Sequence, residues 1–269
     1  MNDSHTTNHG SSGNGNDLAA LVADYERNGA VCARGVADAA LVQRVAEAID
    51  ANLADPSPLA LIASRDDDPG KYATDFCNWS RFPAYLELAQ AAAPLAQALM
   101  QSRTVRLYHD HLLVKEAGTR QRTPWHQDQP YYDVEGRHVI SMWFPVDPVP
   151  RESTLEFVAG THHGQWLMPR TFMLQEAKWF PEGSMQEVPD IEADRDAHHI
   201  LGWALQPGDA VFFQGLCLHG SNGSQDRRRV ISIRYLGDDA VRVQRQWRCS
   251  PPIPADAEFP VLIGGQSTI

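Results

Sequence analysis

Apolar positions change period partway along the chain. Over the first hundred residues they recur every three to four, and afterwards they alternate in short runs. Leu18 to Arg27 follows the helical spacing and stops at Asn28-Gly29. "AVCARGV" then reads as a short strand, and Asp38 is placed to cap a second helix with Leu41, Val45, Ile49 and Leu53 on one stripe. A third helix is expected from Pro83 to Ser102, kinked at Pro94. Between these helices "RDDDPGKY" is acid-rich but lacks calcium-loop spacing, so it is expected to be a solvated turn.

After Arg103 come "VRLYHDHLLVKE", "HVISMWFPV", "TLEFVAG", "DAVFFQG" and "RVISIRYLG", separated by Gly, Pro and Asp turns. Many short strands at this spacing predict an antiparallel sandwich or barrel, with no internal repeat of fixed period. The fold class expected is mainly β with flanking helices (α+β). Residues 1–16 are Asn, Ser, Gly, Thr and His with almost nothing to bury. They are expected to form a disordered tail whose His5 and His9 are solvated, leaving 17–269 as a single domain.

Composition narrows the partners. A net charge of −11 argues against nucleic acid, while leaving room for a local basic pocket. Cys32, Cys77, Cys217 and Cys249 form no CxxC pair, which favours a reducing compartment. No run approaches the roughly 18 apolar residues of a membrane helix, and the N-terminus has no apolar signal core. The expectation is a soluble cytoplasmic protein, monomer or homodimer, with a small-molecule substrate and no membrane or nucleic-acid partner.

Candidate chemistry centres on "TPWHQDQPYYDVEG". On a strand His126 and Asp128 would project to one face and form an edge of a metal site. His219, in "QPGDAVFFQGLCLHGSNGS", reads as delivered by an apolar strand and is costly to bury without a partner. Two histidines and a carboxylate suit Fe(II) with three open positions, or four-coordinate zinc. Arg228 and Arg229 follow nine and ten residues after His219, with Ser221 nearby. An Arg and a hydroxyl are what the far carboxylate of a 2-oxoglutarate cosubstrate needs. Adjacent strand residues face opposite sides, so only one of the two arginines can point inward.

In order along the chain, "WHQD", "SMWFPVDPV", "LEFVAGTHH", "PGDAVFFQGLCLHGSNGS" and "RRRVISIRY" resemble the phytanoyl-CoA dioxygenase family of Fe(II)/2-oxoglutarate oxygenases. A weaker likeness reaches "YERNGAVCARGV". The resemblance implies a double-stranded β-helix (cupin-like jelly roll) using Fe(II), 2-oxoglutarate and O2, with ascorbate supportive. It carries the iron ligands onto His126, Asp128 and His219, and the cosubstrate arginine onto Arg228. Trp143 and Ser221 fall at its cosubstrate contacts, with Lys115 lining the same pocket. "PRESTLEF" departs from the family's Asn-Gly turn, and the loop between His219 and the arginine is short.

Other residues carry plainer readings. His162-His163 and His198-His199 are expected in exposed loops, and His109 and His111 in the core or at an edge. Tyr131, Tyr132 and Trp79 suit a substrate pocket or the core equally. The carboxylate at Asp128 favours hydroxylation over halogenation, since halogenating relatives carry a small residue there. The expected activity is hydroxylation of an unactivated C–H of a small polar metabolite, with release of succinate and CO2. A zinc hydrolase on the same triad and a silent jelly-roll binding protein are the alternatives.

Overall fold

The structure, a computed structural model, describes residues 17–172 and 176–265. The segment 1–16, expected as a tail, lies outside the described residues. The chain begins α1 (Leu18–Asn28), β1 (Ala30–Ala33), α2 (Ala39–Ala54), β2 (Leu61–Ile62), β3 (Tyr72–Phe76) and α3 (Pro83–Met100). The strands β4 (Val105–Lys115), β5 (Thr123–His126), β6 (Val134–Glu135), β7 (Val139–Pro145) and β8 (Leu155–Val158) follow. The remainder is β9 (Ile200–Leu201), β10 (Ala210–Gln214), β11 (His219–Ser221), β12 (Arg228–Leu236), β13 (Val241–Arg242) and β14 (Val261–Ile263).

The helix limits have local causes. Asp17 and Asp38 cap α1 and α2 by accepting from the amides of Ala19 (3.1 Å) and Leu41 (2.8 Å). Gly29 ends α1 at φ 80°, donating to the Tyr25 carbonyl at 2.8 Å. Glycine is doubly required there, because a Cβ would lie 2.4 Å from Nδ1 of His162. His162 is therefore a buried residue under the end of α1, not the exposed loop histidine expected; His163 beside it is exposed. The third helix runs through Pro94 and ends at Met100 before a left-handed Gln101, two residues short of the expected Ser102.

Two antiparallel sheets face each other as a jelly roll. The larger has the order β1-β10-β7-β12-β4-β3-β2, with β14 also on β4, and the smaller is β5-β11-β8-β9. The alternation of β12 divides the molecule. Ile231, Ile233 and Tyr235 point outward into a core shared with Val45, Ile49, Leu88 and Tyr85 of the helices. Val230 points inward, packing with Trp143, Phe213 and Phe157 between the sheets. Inward residues of β12 stand opposite inward residues of β4: Arg228 on Lys115, Val230 on Leu113, Ser232 on His111 and Arg234 on His109. A polar ladder is thereby carried into the interior of the roll.

Candidate metal centre

His126 closes β5 and His219 opens β11, and the two are direct partners in the smaller sheet. Two sequence expectations are corrected here. Asp128 is not on a strand; at φ −74° and ψ −47° it opens a 3-10 turn, Gln129–Tyr131, that folds its carboxylate back. Nor is His219 on the apolar strand before it. β10 ends at Gln214 in the larger sheet, and the chain crosses to the smaller sheet before His219.

The ligand atoms of His126, Asp128 and His219 lie within 4.8 Å of one another, and all three residues are buried. Oδ1 of Asp128 stands 3.6 Å from Nε2 of His126 and 3.7 Å from Nε2 of His219. Each ring is oriented by the chain itself: Nδ1 of His126 meets the Pro124 carbonyl and Nδ1 of His219 the Cys217 carbonyl, both at 2.8 Å. A carbonyl can only accept, so both Nδ1 atoms carry the proton and both Nε2 lone pairs face the site. Burial, then the neighbouring His126, pushes His219 down to about 3, so its ring is neutral as a ligand must be.

Asp128 divides its oxygens. Oδ1 faces the histidines, while Oδ2 accepts from Ser141 Oγ (2.9 Å) and Arg234 Nη2 (3.3 Å). Burial by itself would raise this carboxyl, but Arg234 first and the histidines after it hold it well below the usual range. Arg234 also donates to the Tyr132 hydroxyl at 3.0 Å. Neither Arg234 nor Ser141 stood out in the sequence. The phase of Arg228 was the available signal, since Arg234 lies six residues on along the same strand face.

Further into the roll, Arg228 is 5% exposed and lies 5.3 Å over the Trp143 ring. Its Nη1 donates to the Ser153 carbonyl, but its Nε has no partner, and neither does the buried hydroxyl of Thr154. Burial lowers Arg228 to about 10, so it remains charged at neutral pH. Among the described residues it forms no ion pair. Arg229 faces the other way, bonded to Asp147 (2.8 Å) and Asp50 (2.7 Å).

Lys115 stands opposite Arg228. Its ammonium donates to the carbonyls of Gln121 (2.8 Å) and Asn222 (2.7 Å) and to Ser221 Oγ (3.3 Å). With all three donors engaged, it holds Ser221 and two loops in place. The roll interior thus holds a candidate metal-ligand triad together with a buried cation and polar atoms that lack partners among the described residues. The donor set suits a small dicarboxylate, with one end for the triad and a buried guanidinium for the other.

An open cleft of about 580 Å³ leads to His126. Tyr131 lines it, its hydroxyl donating to the Arg170 carbonyl at 2.7 Å, and Phe172 sits edge-on to the His126 ring at 4.8 Å. Tyr132 lies deeper, on Arg234. Trp79 is not at the site: it packs against the helix-side core. His109 and His111 do face inward, and their Nε2 atoms are buried without partners.

A family profile described as "Phytanoyl-CoA dioxygenase (PhyH)" matches residues 25–230. A "Probable phytanoyl-CoA dioxygenase" of Caenorhabditis elegans is 31% identical over 129 residues, 45% of this chain and 38% of that one. The "Phytanoyl-CoA dioxygenase, peroxisomal" of Homo sapiens is 29% identical over 126 residues, 44% of this chain and 34% of that one. The match thus spans little more than a third of either relative. Among solved structures, the epimerase SnoN from nogalamycin biosynthesis, in complex with Fe3+, alpha ketoglutarate and nogalamycin RO, superposes with a TM-score of 0.69. It is 20% identical and covers 91% of this chain and 98% of its own. EctD from S. alaskensis, with 2-oxoglutarate and 5-hydroxyectoine, gives 0.60 at 22% identity, covering 81% and 76%.

Proposed function

The chain belongs to the phytanoyl-CoA dioxygenase family, and on that premise we propose that it is an Fe(II)/2-oxoglutarate-dependent oxygenase that hydroxylates a C–H bond of a small polar metabolite. One observation carries the reading. The triad presents two Nε2 atoms and one carboxylate oxygen to a common point, and the same roll interior buries Arg228, which has no ion-pair partner among the described residues. A zinc hydrolase has no use for that buried cation.

When bound, iron with 2-oxoglutarate and O2 supplies oxidative decarboxylation to succinate and CO2, coupled to attack on a C–H bond. His126, Asp128 and His219 would hold the metal. Arg228, with Thr154 and Ser221 near it, would hold the far carboxylate of the cosubstrate, stacked beside Trp143. Arg234 and Ser141 keep Asp128 ionised and turned to offer one oxygen, which leaves the remaining metal positions open. Tyr131 and Phe172 wall the approach and exclude water beside His126. The carboxylate at Asp128 supports oxygen insertion rather than halogenation.

Among the described residues no helix is long and apolar enough to cross a membrane, and the four cysteines are unpaired. The free thiols support a reducing compartment, for which we propose the cytosol. The decisive test strips the protein with chelator and measures succinate released from 2-oxoglutarate. Activity is expected to return with Fe(II) and ascorbate and not with Zn2+; restoration by zinc would refute the oxygenase reading.

A further inference from the structure

We propose that the substrate carries an anionic group, a carboxylate or a phosphate, and that Lys178 binds it. The proposal deepens the oxygenase reading and rests on it for the identity of the site. Lys178 stacks on Tyr131, a lining residue of the cleft that leads to His126. Its amide donates to the Pro169 carbonyl at 2.8 Å, and its neighbour Ala177 bridges to Arg170, a lining residue. The ammonium lies 5.2 Å from the Tyr131 ring centroid and 4.4 Å from that of Trp179. Tyr131 in turn meets the His126 ring edge-on at 6.1 Å. Two ring contacts therefore separate the ammonium from a metal ligand.

The cations that line this cleft are already neutralised. Arg122 pairs with Glu192 at 2.6 Å, and Arg170 with Glu182 (3.0 Å) and Glu187 (2.7 Å). Among the described residues, Glu176 included, Lys178 has no carboxylate and no hydrogen-bond acceptor for its ammonium. Stacking on two aromatic faces compensates a half-buried ammonium only in part, so burial lowers its pKa. The indole N–H of Trp247, whose ring stacks on Trp179 at 6.1 Å, also lacks a partner. Both groups can only donate, so what this layer lacks is an acceptor. A negatively charged group on the substrate supplies one and anchors the molecule at a fixed reach from the metal.

The test uses the full chain loaded with Mn2+ and saturating 2-oxoglutarate, so that added anions do not report on Arg228. Wild type, Lys178→Met and Lys178→Arg are titrated with inorganic phosphate, with butyrate and with neutral butyramide at constant ionic strength. Tryptophan fluorescence reports on the layer holding Trp179. Wild type is expected to give a saturable change with at least one anion and none with butyramide. The midpoint should weaken at least ~10-fold in Lys178→Met and stay within about threefold in Lys178→Arg. A response to butyrate alone identifies a carboxylate, and to phosphate alone a phosphate; a response to both supports the anion site without choosing. No saturable response in wild type, or equal responses in wild type and Lys178→Met, overturns the proposal. Calorimetry of 2-oxoglutarate on the same proteins separates the two levels of inference. Should wild type fail to bind it, the oxygenase reading falls, and the anion titration repeated with Mn2+ alone still decides Lys178.

Discussion

Replacing Arg228 and Arg229 one at a time by alanine sets two adjacent cations against each other. Arg228 points between the sheets, 5% exposed, and among the described residues its Nε has no partner and the guanidinium no carboxylate. Arg229 points outward and is held by Asp147 and Asp50. A desolvated charge-assisted contact between guanidinium and carboxylate is worth about 2–5 kcal/mol when one partner is removed. At 1.4 kcal/mol per tenfold, Arg228→Ala should weaken 2-oxoglutarate binding by ~30-fold or more. Arg229→Ala removes partly exposed ion pairs and should cost about 1 kcal/mol of stability while leaving the cosubstrate affinity within about twofold. Calorimetric titration with Mn2+ in place of iron measures both affinities without turnover. Thermal melts are needed alongside, because Arg228 also donates to the Ser153 carbonyl. A large affinity loss in Arg229→Ala, or none in Arg228→Ala, would place the anion site elsewhere and break the strand-phase argument.

Asp128→Ala should abolish succinate release and lower metal affinity beyond 100-fold or so, as read by equilibrium dialysis; wild-type turnover would show that Asp128 is no ligand. Ser141→Ala removes one of the two donors to Asp128 Oδ2 and should weaken metal binding by roughly 10-fold with the fold intact; unchanged affinity would dismiss its orienting part. A pH effect is expected on the face of β4 opposite His109 and His111. Asp110, fully buried under the amides of Asn78 (3.0 Å) and Trp79 (2.7 Å), is pushed up from 3.8 to about 6 by burial. A carboxyl raised in the folded state binds its proton more tightly there than in the unfolded chain. Its contribution is therefore most favourable below about pH 4 and is lost as pH rises to about 6, by roughly 3 kcal/mol. Asp110→Asn removes this titration, so the stability of wild type minus variant, from urea unfolding, should fall across that window; a flat difference refutes it.

Much of this was legible in the order of residues. Alternation in "RRVISIRY" separates Arg228 from Arg229 as the sheet does, because one face of β12 meets the helices and the other the roll. The caps at Asp38 and Gly29 are local chemistry and were readable as such. What escaped depends on contacts that no local period encodes. Asp128 reaches the metal point through a turn, and His219 through a crossing between sheets, although both look like strand residues in sequence. Arg234, Ser141 and Thr154 gain their importance from partners at least a dozen residues away or from space left by others. Trp79 and Tyr131 are both aromatics beside polar motifs, yet only the sheet order sends one to the helix side and the other to the cleft.

The two ligand histidines are aimed by carbonyl oxygens two residues upstream of each, at Pro124 and Cys217. A carbonyl belongs to every residue type, so no single substitution at those two positions deletes the acceptor; only a displaced backbone does. The aim of the imidazoles is in this sense indifferent to side-chain identity. The cleft is the reverse, since Tyr131 and Phe172, which line it, and Lys178, stacked on Tyr131, act through groups that one codon change removes. The aim of the two histidines rests on backbone and the cleft lining on side chains, so Tyr131 and Phe172 can be exchanged while the carbonyls that orient the rings remain.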